Sequence, residues 1–204
     1  MISQKLLSFA LLGGLVFSLS YQVFAQGGEK DKKAEMEAMM QEYAKFSQPT
    51  AAHKELAKRV GKWDHVTKIW FDPQSPPNES RGITEYKLLL DGRYLLQEMT
   101  GEMMGQPYRG MGIVGYDNFK KQYTSAWIDN FSTAIFNSLG TADPASKVVT
   151  YLGEMDEPLT GEKNKKVRMV ERFIDDDKHI FEMYDNFPGV GEVKVMEITF
   201  TRKR

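Results

Sequence analysis

Cysteine is absent from all 204 residues, and histidine occurs only three times. The first absence removes disulfides, thiolate nucleophiles and cysteine-based metal sites. The second leaves little for a histidine-built centre, because His53, His65 and His179 fall in no ligand spacing. Net charge is missing as well: 27 basic residues stand against 28 acidic ones. A balance so close to neutral gives no electrostatic case for nucleic acid or an anionic membrane surface as partner. There is no nucleophile elbow, phosphate loop or zinc helix, so neither a hydrolase nor a nucleotide enzyme has positive support.

What the chain does carry begins with a leader. Lys5 precedes an apolar run over residues 6–19, and Val23-Phe24-Ala25 supplies the small-residue pattern that a signal peptidase accepts. The run is too short for a stable membrane span. This predicts a signal peptide over residues 1–25, export to the periplasm or the extracellular space, and no membrane span in the mature chain. No cysteine follows the run to take a lipid. The 179 remaining residues suit one domain, with a mobile leader and an amphipathic helix over 26–48 and a barrel domain over 49–204.

From Ala34 the period is helical, with Met36, Met39, Met40 and Tyr43 on one stripe. Pro49 stops that helix, and Thr50 caps a second one in which His53, Leu56, Ala57 and Val60 share a face, ended by Gly61. Beyond it the period changes to two. Strands are expected over 63–71, 83–90, 93–100, 108–116, 122–131, 132–141, 148–154, 166–174, 179–185 and 193–202. Asp91-Gly92 accepts the positive φ angles of a tight hairpin, residues 101–107 read as a longer connection, and Asp175-Asp176-Asp177 reads as a solvated hairpin tip. Nine or ten strands joined almost wholly by hairpins predict an all-β fold with short N-terminal helices, an antiparallel up-and-down barrel with a helix closing one end.

Alternation then sorts the faces. A two-residue turn at Asp91-Gly92 sets Leu88 opposite Leu95 and Tyr86 opposite Gln97, while Glu85 meets Glu98 on the other face. Two facing carboxylates belong in water, so Tyr86, Leu88, Leu95 and Gln97 point inward. The same alternation sends Met196, Ile198 and Phe200 inward, along with Val167, Met169, Glu171 and Phe173. Tyr123, Trp127, Asp129 and Phe131 share one face of their strand.

Gly61-Lys62-Trp63 at the start of the first strand, after a short helix, resembles the opening of lipocalins and other calycin-like barrels. The longer pattern runs through His53-Lys54-Glu55-Leu56, Gly92-Arg93-Tyr94-Leu95, Gly115-Tyr116-Asp117-Asn118-Phe119, Trp127-Ile128-Asp129, Gly153-Glu154-Met155 and Met196-Glu197-Ile198-Thr199-Phe200. It resembles the bacterial family known as domain of unknown function 1579. The resemblance implies a calycin-like β-barrel in exported proteins, with no established activity to carry over.

An apolar lumen with a few inward polar groups is the usual composition of a small-ligand pocket. The expected lining is His65, Tyr86, Gln97, Trp127, Asp129, Glu171 and His179, and the expected guest is a small hydrophobic or amphipathic molecule. Two other readings stay open: haem binding or a lumen-site enzyme built on His65 or His179, and an envelope interaction protein that self-associates through the methionine-rich helix. Clustered thioethers in that helix or at Met103-Met104 also allow Cu(I), against the plainer reading of core filler.

Overall fold

The computed structural model describes residues 29–204 apart from 144, 146, 159 and 188, so the expected signal peptide lies outside the described residues. Contacts divide the chain into Met1–Lys45 and Phe46–Arg204. The first unit carries most of α1, Glu29–Ser47. That helix begins before Ala34, because Lys30, Lys32 and Lys33 are good helix formers and continue the turn instead of forming a leader. Its Met36, Met40 and Tyr43 are exposed. No helix among the described residues is long and apolar enough to cross a membrane.

The second unit holds α2, Ala51–Ala57, and ten strands: β1 Gly61–Ile69, β2 Asn78–Leu89, β3 Tyr94–Met103, β4 Gln106–Asp117, β5 Gln122–Asp129, β6 Phe136–Asp143, β7 Val148–Glu157, β8 Glu162–Asp175, β9 Lys178–Phe187 and β10 Gly191–Arg202. Each strand pairs antiparallel with its neighbours in sequence, and β10 returns to β1 to close the barrel. Closure removes the edges that an open meander would expose.

The expected β2–β3 register holds, with Tyr86 opposite Gln97, Leu88 opposite Leu95 and Glu85 opposite Glu98. Lys87 reconciles the two glutamates, at 3.2 Å from one and 2.7 Å from the other. The turn itself is longer than two residues, since Leu90 joins Asp91 and Gly92 at positive φ. Residues 101–107 form no long connection: the ladder continues to Met103 opposite Gln106, and Met104-Gly105, both at positive φ, make the turn. Leu88, Val60 and Phe131, expected on inner or apolar faces, are exposed: Leu88 lies beyond the end of the β1–β2 ladder and is flanked by β3 alone, while Val60 precedes β1 and Phe131 follows β5.

α2 starts at a capping box in which the Thr50 N–H donates to Nδ1 of His53 at 3.0 Å. Asn118 ties the preceding segment to the end of β4. Its Nδ2 donates to the carbonyls of Phe46 and Gln48, both at 2.8 Å, and its Oδ1 accepts from the Thr50 hydroxyl. Leu56, 1 % exposed, thereby enters the core from the end of the barrel. The helix leans on β3 and β4, so it covers one side of that end.

Candidate functional site

All seven expected lining residues lie on inward-facing positions, but they form two groups. At the end beside α2, Glu171 and His179 are buried with Tyr86, while His65 is buried farther along, against Phe200 and Gly82. In the other half, Nε1 of Trp127 and the hydroxyl of Tyr108 both donate to Oδ2 of Asp129, at 3.2 and 3.4 Å. Gln97, part-buried between Tyr86 and Gly112 in the ladder, separates the groups.

The α2 end is organised by charge that sequence reasoning saw only half of. Arg59, two residues beyond the end of α2, extends into the barrel, and its Nη1 donates to both carboxylate oxygens of Glu171 at 2.8 and 2.9 Å. Both side chains are almost wholly buried. The guanidinium also lies over the rings of Tyr86 and Phe173. Burial by itself would raise the Glu171 pKa, but the Arg59 guanidinium outweighs it and holds the group at about 2. Arg59 was missed because it sits off the apolar stripe of its helix. The available signal was Glu171 itself, an inward carboxylate in need of a cation.

His179 is held by packing instead of hydrogen bonds. Its ring stacks on Phe200 at 4.3 Å and meets the edge of Trp63 at 4.9 Å. Nδ1 lies 3.3 Å from Glu171 without the alignment of a hydrogen bond, so both ring nitrogens and Nε of Arg59 stay unpaired. Burial lowers the His179 pKa from its usual value, with Glu171 opposing that shift. His65 shares a 2.9 Å hydrogen bond with the Thr84 hydroxyl, and burial takes its pKa down to about 4 against the opposing charge of Asp64. Burial also raises the pKa values of Tyr86 and Tyr151.

Trp63 locks this end together. Its Nε1 donates to the Arg59 carbonyl at 2.8 Å, and the Arg202 guanidinium covers its ring at 4.2 Å. Arg202 in turn donates to the carbonyls of Lys58, Val60 and Asp176. Beside α2, on the side that the helix does not cover, a cleft of about 330 Å³ opens. Its inner surface is formed by Leu56, Arg59, Trp63, Tyr123, Phe173 and His179. Glu55, Lys58, Lys147 and Asp175 stand among its other lining residues.

In the other half the walls are thinned by glycine. A Cβ on Gly110 or Gly112 would stand 2.2 or 2.6 Å from the Trp127 indole, and one on Gly153 would stand 2.7 Å from Phe136. The rings therefore lie flat on bare backbone. No group of three His, Cys, Asp or Glu side chains that could hold a metal occurs among the described residues.

A family described as protein of unknown function, DUF1579, matches residues 48–202. The chain belongs to that family. No curated protein matches this DUF1579 chain. Among solved structures it is similar to Rv2717c from M. tuberculosis, with a TM-score of 0.55 and 14% identity, covering 77% of this chain and 100% of that one. It is also similar to the S-type phycobiliprotein lyase CPES from Guillardia theta, with a TM-score of 0.52 and 9% identity, covering 76% and 94% of the two chains. At these identities the likeness shows the barrel fold alone.

Proposed function

We propose that this DUF1579 protein is an exported carrier or sensor of a small apolar or amphipathic molecule, which enters the barrel beside α2. The observation that carries the reading is the cleft. About 330 Å³ lies at the lower end of small-ligand pockets, and its inner surface is mainly aromatic and aliphatic. The charged residues of the lining suit a guest with one polar end.

The alternatives are less favoured by the same geometry. An acid–base pair of Glu171 and His179 would need a group titrating near neutral pH. Arg59 instead holds both oxygens of Glu171 and keeps it ionised, while burial lowers the His179 pKa. A haem does not fit the imidazoles as placed: both His179 nitrogens are shut off from solvent beneath Phe200 and Trp63, and His65 is bonded to Thr84.

The test is extraction of the protein from its native host, mass spectrometry of the extract, and titration of the stripped protein with an environment-sensitive apolar dye. Ala142→Trp, at the cleft wall, is expected to exclude the dye. A wild-type protein that carries no small molecule and binds no dye would refute the reading.

A further inference from the structure

We infer that the inner wall of β8, β9 and β10 holds a soft monovalent metal ion, Cu(I) or Ag(I), through the thioether sulfurs of Met169, Met183 and Met196. Met183 stands directly opposite Met169 on one side and Met196 on the other. All three face the lumen, Met169 buried and the other two part-buried against the core. Directly opposed side chains on neighbouring strands have Cβ atoms about 5 Å apart. The flexible methionine stem lets three sulfurs converge over the middle strand.

A second observation singles the row out from ordinary filling. β9 and β10 pair with Tyr184 opposite Lys194 and then Met183 opposite Met196, so the register shifts by one residue between them. An unbroken ladder would place Val195 opposite Met183. The shift drops Val195 from that row and brings a third thioether into line. Irregularities of this kind re-aim side chains beside functional sites.

The chemistry of the row sets the ion. Thioether sulfur is neutral and soft, which suits Cu(I) and disfavours Zn(II), Mg(II) and Ca(II). The carboxylates nearest along the same wall are already matched, Glu171 by Arg59 and Asp185 by Lys165. A divalent ion would bring two charges to a neutral donor set, and a monovalent ion brings one. These are not the methionines of α1, whose Met36 and Met40 are exposed on the other unit.

The full chain, titrated without oxygen against the Cu(I)–bicinchoninate complex, is expected to withdraw one copper ion, with Ag(I) competing and Zn(II) not. Met183→Leu and Met169→Leu conserve volume, and each is expected to weaken Cu(I) binding by about tenfold or more with the melting transition retained. Met36→Leu is expected to leave the affinity unchanged. A wild-type protein that takes no copper from the chelator, or a folded Met183→Leu or Met169→Leu variant with wild-type affinity, overturns the assignment.

Discussion

Replacing Glu171 by glutamine keeps the shape of the side chain and removes its charge, leaving the buried Arg59 guanidinium without a counterion. Breaking one side of a buried pair costs about 3–5 kcal/mol, chiefly through the stranded charge. The pKa points the same way, since Arg59 holds the carboxyl well below the ordinary 4.5. Because the folded-state pKa is depressed, this stabilisation is present in full above pH 4.5 and is lost as pH falls toward 2. Urea denaturation at pH 7 should therefore show Glu171→Gln less stable by that amount, with a melting temperature lower by about 6–20 °C. The gap between wild type and variant should narrow at pH 3. A double variant, Arg59→Met with Glu171→Leu, should recover most of the loss, since apolar residues of similar volume replace buried pairs at little cost. A loss below about 1 kcal/mol in the single variant, or a double variant weaker than the single, would refute this account.

Three further outcomes follow from the same geometry. His65, with a folded-state pKa of about 4 against the usual 6.5, contributes stability that is full above pH 6.5 and falls by roughly 3 kcal/mol down to pH 4, so His65→Gln should flatten that acid limb relative to wild type. Gly110→Ala sets a methyl 2.2 Å from the Trp127 indole and should cost about 1–3 kcal/mol in denaturant unfolding, most of it recovered when Trp127→Leu is added. Asn118→Ala removes the donor to Phe46 and Gln48 and should cost about 1–3 kcal/mol, visible as faster amide exchange around residues 46–50; unchanged exchange would count against the tether.

The strands and their order were legible because period two and hairpin residues recur along the whole second unit. Even the β2–β3 register followed from placing Asp91-Gly92 at the turn. Distances along the chain hid the rest. Glu171 was readable as an inward carboxylate, but its partner is 112 residues away and lies off the helical stripe that pattern reading follows. The role of Gly110, Gly112 and Gly153 was equally hidden, because a glycine beneath a ring on the next strand carries no local signature. Residues 101–107 were misjudged for a related reason: two glycines suggested a loop, while the ladder beside them kept that stretch extended.

The barrel has a seam. Each adjacent strand pair but one is joined by a hairpin; the exception, β1 with β10, sets Trp63 beside Arg202 from opposite ends of the domain. Local hairpins can zip early, whereas this junction must wait for the loop between its partners to be gathered in. A circular permutant opened at the Met104-Gly105 turn, with the old ends spliced, would keep all ten ladders while transferring the late-closing junction to β3 and β4. The cylinder has a fixed cyclic order but no obligatory first strand.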